Sequence, residues 1–309
     1  MKIGLIDVDG RNYPNLPLMK LSAHHKAKGD LVSWYNPLLS DKQDITYMAK
    51  VFGFTPDYEF NIKSDQVIKG GSGYCIELNN GIESYNKAND KELQKEIEHI
   101  YPDYSLYPEL TKDTAYGFIT RGCPRNCRFC HVTQKEGNKS YQVAEVNEFW
   151  NSQKNIVLND PNILACKDHL EIMKSLVKTK SVIDFNQGID VRLTNEDNIK
   201  LLNEMRIYAL HMAWDNPNED LTDKFKQFTK LYKRKSASAK IVYVLTNYDS
   251  THEQDLYRIY KLRELGYDPY VMIYDKQNSP KQTRKMQRWV NNRFIWRKCE
   301  KFEDYERTN

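Results

Sequence analysis

The sequence predicts an α/β fold from three observations. Short apolar runs alternate with amphipathic stretches, the alternation breaks once at a proline-containing segment, and it then restarts and repeats. The chain has 309 residues, 40% of them hydrophobic and 28% charged, enough to bury a substantial core in one large or two smaller domains. Its longest apolar runs fall well short of the roughly 20 residues that cross a bilayer, so a soluble protein is expected, with no membrane partner.

Lys2 to Asp7 reads as the first strand, Leu16 to Lys28 as a helix closed by Gly29, and Asp30 to Tyr35 as the second strand. Further strands are expected at Asp44 to Tyr47 and Gln66 to Lys69, the latter running into Gly70-Gly71-Ser72-Gly73. This alternation is Rossmann-like. A helix near Lys91 to Ile100 leads into the segment Tyr101 to Pro108, whose two prolines and lack of periodicity mark a linker, so the first domain is expected over 1–108.

The second series places strands at Tyr116 to Thr120, Ile156 to Asn159, Val182 to Phe185, Ile207 to Met212, Lys240 to Thr246 and Pro269 to Tyr274. Helices are clearest at Leu164 to Lys178, Glu196 to Met205, Leu221 to Lys233 and Glu253 to Leu265. Six such units predict a partial (β/α)6 TIM-type barrel over 109–275, with its ligand site at the carboxyl ends of the strands. Residues 276–309 read as a short basic, aromatic, helical extension.

The first ten residues read as a buried strand ending in acidic side chains rather than as a cleavable signal peptide, so a cytoplasmic protein is expected. Lys and Arg number 46 against 42 Asp and Glu, a net charge of +4 that is too mild to mark the whole molecule as a nucleic-acid binder. The cysteines are unevenly placed: Cys123, Cys127 and Cys130 cluster, while Cys75, Cys166 and Cys299 are scattered and read as packing thiols.

The cluster is Arg121-Gly122-Cys123-Pro124-Arg125-Asn126-Cys127-Arg128-Phe129-Cys130, a C-x3-C-x2-C spacing. Four thiolates saturate a [4Fe-4S] centre, so three on one loop would leave an iron open to a bidentate ligand. The alternatives are three incidental thiols or a structural zinc, which needs four ligands and finds only His131 nearby as the fourth. A non-catalytic iron–sulfur redox sensor would need no further pocket.

With an aromatic residue before its last cysteine, on the loop after the first strand of a six-unit barrel, this motif resembles the radical S-adenosylmethionine (SAM) superfamily over Ala115 to Asp275. The lead-in Gly117 to Pro124 is similar to the branch with an N-terminal cobalamin-binding-type domain, which includes methylthiotransferases. The resemblance implies metal ligation by Cys123, Cys127 and Cys130, and SAM chelated to the open iron. It further implies reductive cleavage to a 5'-deoxyadenosyl radical that abstracts hydrogen from a substrate, anaerobic chemistry, and a flavodoxin- or ferredoxin-type electron donor. Catalytic side chains are not identified.

The resemblance also marks candidate cofactor contacts. Phe129 lies within the motif, and Asn159 and Asp160 end the second strand, where many members carry Gly-Gly-Glu. Gln187, Asp190 and Arg192 follow the third strand, Asp215 the fourth, Asn247 the fifth and Tyr274 the sixth. Asp190 and Arg192 read equally well as a loop ion pair, and Gly188 is expected to admit a ligand close to the backbone.

Cobalamin is the less favoured cofactor. Base-off cobalamin domains carry Asp-x-His-x-x-Gly, and Ser22 to Gly29 has histidines and a glycine at the wrong spacing without the leading aspartate. Asp7, Asp9 and the glycine turn lie where strand ends should form a crevice, a weak signal that leaves a degenerate scaffold preferred. His24 and His25 are expected to face solvent. In the extension, Trp289, Phe294 and Trp296 are interleaved with basic residues; packing of these aromatics on the barrel is preferred over stacking on RNA bases. The substrate is open among a small molecule, a nucleotide, RNA and a peptide. A methylthiotransferase-like or cobalamin-dependent methylating enzyme acting on RNA or a nucleotide is the alternative activity.

Overall fold

The first apolar run forms β1 (Lys2–Asp7), and helix α1 (Leu16–Ala27) returns the chain to β2 (Leu31–Trp34), which lies parallel to β1. The helix starts where Asn15 accepts from the Leu18 N–H and Pro17 occupies the first turn, where its missing donor costs nothing. Strands β3 (Gln43–Ala49) and β4 (Ser64–Gly70) complete a parallel sheet of order β2-β1-β3-β4. Ile3, Leu5, Leu18, Leu21, Ala49 and Ile97 form its core. The computed structural model describes residues 1–79 and 82–308.

The Rossmann-like expectation needs one revision, because no helix joins β2 to β3 or β3 to β4. Pro37 and Pro56 interrupt those connections, and their apolar residues do not recur at helical spacing. An antiparallel pair, β5 (Ile76–Asn79) and β6 (Ile82–Tyr85), follows. The expected helix at 91–100 shortens to α2 (Lys95–Glu98), and the proline-containing linker is ordered by a turn over Tyr104–Leu106 that leads into α3 (Pro108–Thr111).

Next come β7 (Thr114–Gly117) and β8 (Thr120–Arg121), then α4 (Val132–Glu136), β9 (Tyr141–Gln142), which is antiparallel to β8, and β10 (Asn155–Leu158). By internal contacts the chain divides into two compact units, Met1–Val157 and Leu158–Asn309, the division falling inside β10.

The second unit continues the strand–helix alternation: α5 (His169–Thr179), β11 (Val182–Phe185), α6 (Glu196–Glu204), β12 (Arg206–Ile207) and β13 (Leu210–Ala213). Then follow α7 (Thr222–Leu231), β14 (Lys240–Thr246), α8 (His252–Glu264) and β15 (Asp268–Ile273). All six positions expected after the linker carry strand, although the first breaks into β7 and β8 at Phe118-Ile119 and the fourth into β12 and β13 at Tyr208-Ala209. Strands β13, β14 and β15 form a parallel sheet, and β11 pairs with β12 in parallel. Along these strands Leu210, Met212, Val242, Val244 and Val271 are fully buried, and alternate positions such as His211, Tyr243 and Tyr270 are more open.

The C-terminal stretch folds as α9 (Lys281–Asn291), α10 (Arg293–Lys298) and α11 (Phe302–Thr308); Asn309, the last residue of the expected extension, lies outside the described residues. Asn291 closes the edge of β15, accepting from the Val271 N–H at 2.8 Å and donating to its carbonyl at 3.0 Å, which leaves no free ladder there for another strand. Trp289, Trp296 and Phe302 bury their rings against one another, so the two tryptophans are packing residues and only Phe294 of the interleaved aromatics stands exposed. Among the described residues no helix is long and apolar enough to cross a membrane.

Candidate functional site

The three clustered thiols sit on a loop between β8 and α4 whose backbone is closely determined. Gly122 has φ +78°, and a Cβ there would stand 2.1 Å from the Lys139 carbonyl oxygen, so only glycine fits. Its N–H donates to Glu136 Oε2 at 3.0 Å, while Arg121 donates to Glu136 Oε1 at 2.8 Å. One carboxylate therefore ties both ends of the entry, a charge-assisted arrangement. The Arg121 guanidinium also lies over the Phe118 ring at 3.7 Å and reaches Glu98, which pairs in turn with buried Lys20. Burial pushes the Lys20 ammonium pKa down, and Glu98 only partly restores it.

Beyond that entry the Cys123 N–H donates to the Gly137 carbonyl at 3.2 Å, Asn126 takes a left-handed φ of +48°, and the Cys130 N–H donates to the Cys127 carbonyl at 3.0 Å. Cys123, Cys127 and Cys130 form no disulfide and are partly exposed, as is Phe129 between them. Among the described residues no group of three His, Cys, Asp or Glu side chains is placed to hold a metal ion. A structural zinc takes four protein ligands, whereas three thiolates leave one iron of a [4Fe-4S] cluster open. The donor set of three accessible thiols fits the cluster. His131, the fourth ligand that zinc would need, turns Nε2 to Glu83 at 3.1 Å.

In the second unit the predicted contact residues occupy the carboxyl ends of the strands, and most of them hold one another. The Asn186 amide donates to Asn159 Oδ1 at 2.8 Å, and Asn162 donates to Asp190. Asp160 is buried. Asp190 Oδ1 accepts from the Arg192 N–H at 3.1 Å and from its Nε at 2.6 Å, and Arg192 continues to Glu219 at 3.0 Å, so these two residues form a loop ion pair. Gly188, at φ +81°, is required by the fold itself: a Cβ there would stand 2.9 Å from the His211 carbonyl oxygen, to which Ile189 donates. Gln187 is the exposed member of this stretch.

Asp215 accepts from the Leu245 N–H at 3.0 Å, and burial pushes its carboxyl pKa up. Asn247, at φ +61°, donates to the Tyr274 carbonyl at 2.8 Å. The residue that organises this rim was not anticipated. Arg258, fully buried on α8, donates to the carbonyls of Trp214, Asp215 and Leu245 and pairs with buried Asp255. Its signal was present in the sequence, since Asp255 and Arg258 share the i, i+4, i+7 face of Ile259 and Leu262, where a charged pair must find partners. Glu136 left no comparable signal.

The strand ends of the first unit are similarly occupied. Asp7 accepts from the Tyr107 hydroxyl at 2.7 Å, and burial pushes its carboxyl up to about 6. Asp9 accepts from the Val51 and Phe52 N–H groups and from the Thr55 hydroxyl. Gly71 and Gly73 admit Lys50 and the Phe52 carbonyl at distances that a Cβ would block, which accounts for the glycine turn without a phosphate. His25 does not face solvent as expected: it is buried and bridges Asp30 at 2.7 Å and the Tyr47 hydroxyl at 3.0 Å. Cys75 and Cys166 are buried, as packing thiols should be, and burial pushes the Cys75 thiol up; Cys299 is half-buried.

TsrM from Kitasatospora setae, a radical SAM methyltransferase solved with cobalamin and a [4Fe-4S] cluster bound, superposes with a TM-score of 0.61 at 8% identity, covering 88% of this chain and 72% of that one. The folds are similar. A second structure of TsrM, with tryptophan substrate and the SAM analogue aza-SAM bound, gives a TM-score of 0.43 at 12% identity, covering 87% of this chain and 67% of that one. No family model and no curated protein matches the chain. The comparison thus supports the α/β class and the resemblance to radical SAM proteins at the level of fold.

Proposed function

We propose that the chain is a radical SAM enzyme in which Cys123, Cys127 and Cys130 hold a [4Fe-4S] cluster and SAM occupies the remaining iron. The single observation that carries this reading is the loop: three partly exposed thiols outside any disulfide, on a backbone held by Gly122, Asn126 and Glu136, in a chain whose fold is similar to TsrM. Cys123, Cys127 and Cys130 would hold the cluster, and with SAM bound it would supply one electron to the sulfonium, breaking its C5'–S bond to give methionine and a 5'-deoxyadenosyl radical able to abstract hydrogen. The chain's own residues have separable tasks. Arg121 and Glu136 fix the entry to the loop, where Phe129 offers a partly exposed ring to the cofactor, and in the second unit Asn159, Asp190, Arg192, Asp215, Asn247 and Tyr274 keep the strand ends in place while Gln187 stays exposed. A flavodoxin- or ferredoxin-type protein is the proposed electron source, in an anoxic cytoplasm.

A specific observation favours a second reading, cobalamin-dependent methyl transfer. Leu38, Leu39, Phe52, Phe54 and Phe60 are exposed on the loops that follow β2 and β3, at the carboxyl edge of the first sheet, where they would suit the face of a corrin. His25 is committed to Asp30 and Tyr47, so such binding would proceed without it as the cobalt ligand.

The test is anoxic reconstitution with iron and sulfide, reduction by dithionite and addition of SAM. The proposal expects 5'-deoxyadenosine from the native chain and none from Cys123→Ala, Cys127→Ala or Cys130→Ala. Retention of a corrin spectrum after gel filtration with hydroxocobalamin selects the methyl-transfer reading. Tightly bound zinc with no SAM turnover overturns both.

A further inference from the structure

Across the second unit a row of polar and aromatic side chains runs over four strands. On β11 and β13, Asp184 Oδ1 and His211 Nδ1 face each other at 3.8 Å, too far for a hydrogen bond, and both atoms are buried without a partner. The His211 ring lies parallel to Tyr243 on β14, with centroids 5.6 Å apart, and Tyr243 meets Tyr270 on β15 edge-on at 5.8 Å. These residues alternate with the fully buried apolar positions, so they share the other face of the strands. The row is open: the Asp184 side chain is 47% exposed and Tyr270 45%.

The fold has no need of this arrangement, since valine or isoleucine would serve a strand face without leaving two polar atoms unbonded. Burial pushes the Asp184 carboxyl up, with His211 opposing only in part, and Tyr243 is pushed up by burial and by Asp184. The opposite end of the row carries the opposite charge. Tyr270 also lines a surface depression with Lys276, Arg284, Gln287, Arg288, Asn291 and Asn292. Asn291 and Gln287 are spent on Val271 and Arg284 on Ser279, but among the described residues exposed Lys276 and Arg288 form no ion pair. At about 4.8 Å per strand, the two paired intervals from β13 to β15 carry the row roughly 10 Å from His211 to Tyr270, beside which the basic residues stand.

We propose that the row and the depression bind one ligand with a flat ring bearing N–H donors at one end and an anionic group at the other, the chemistry of a nucleoside monophosphate. The N–H groups donate to Asp184 and His211, the ring lies along Tyr243 and Tyr270, and the phosphate meets Arg288 and Lys276. An apolar ligand would leave the Asp184 and His211 atoms unbonded, and an anion at the acidic end would be repelled. This goes beyond the cluster reading and stands on the second unit alone, so either can fail while the other holds.

Calorimetric titration of the full anoxic chain, with SAM in excess, tests it with guanosine 5'-monophosphate, guanosine and inorganic phosphate as probes. Saturable binding of the monophosphate is expected, weakened about tenfold or more by Asp184→Asn. Arg288→Gln should weaken the monophosphate about tenfold and leave guanosine unchanged. Tyr270→Leu, at an exposed position that folding tolerates, should weaken both nucleosides and leave the thermal midpoint unaltered. Absence of saturable binding to the native chain overturns the proposal, as does equal affinity in native, Asp184→Asn and Arg288→Gln proteins.

Discussion

The cysteine loop of the first unit and the strand-end rim of the second are built on opposite terms. The loop spends its backbone: glycine, a left-handed asparagine and one glutamate fix its course, and its reactive side chains remain partly exposed. The rim spends its side chains: Asn159, Asp190, Arg192, Asp215 and Asn247 all hold neighbouring chain segments. Thiolate ligation demands a particular residue type at a particular spacing, whereas polar residues at strand ends have structural employment whether or not a ligand arrives. A candidate site residue is thus more secure when the fold has no other use for it.

The contrast can be broken most severely at the loop. Cys127→Ala should abolish cluster assembly, read as loss of iron and of the visible absorption; retained iron at the native level would remove the loop from the account. In the rim the largest effect belongs to Arg258→Met, which strands Asp255 and leaves three carbonyls unsatisfied. A loss of about 3–5 kcal/mol in urea unfolding is expected, and a near-neutral result would show that the guanidinium is no clamp.

Smaller perturbations sharpen the comparison. Glu136→Ala removes two charge-assisted bonds at the loop entry and should lower stability by about 1.5–3 kcal/mol, together with iron occupancy. Arg192→Met leaves the buried Asp190 carboxylate without its partner, should cost about 1.5–3 kcal/mol, and should change the SAM dissociation constant less than about threefold, because the guanidinium is already paired. A larger loss of SAM affinity would return Arg192 to the cofactor. The smallest effect concerns Asp7. Because burial favours its protonated form, it contributes stability at low pH that is lost as pH rises from the ordinary aspartate range through about 6. Asp7→Asn should therefore flatten the thermal midpoint across that window and raise it slightly at pH 7; an unchanged pH profile would assign the dependence elsewhere.

The strands of both series were legible because alternating or continuous apolar runs bounded by polar residues leave few other solutions. The β5–β6 pair was missed although Asn80-Gly81 between two short runs is a hairpin signal. The helix expected at 91–100 came out short: Leu93 packs against the same core as Ile97, but only Lys95–Glu98 closes a helical turn. His25 was misread because a histidine near a helix end looks exposed until the strand bringing Tyr47 beside it is known. The Asp184–His211 row was invisible for the same reason: its members are far apart in sequence and meet only once the strands are in register.

The most direct measurement is the electron paramagnetic resonance spectrum of the dithionite-reduced, anoxically prepared protein before and after SAM is added. The account predicts about four irons per chain and a signal whose shape changes when SAM binds the open iron. A spectrum indifferent to SAM, or protein that carries zinc in place of iron, would contradict it.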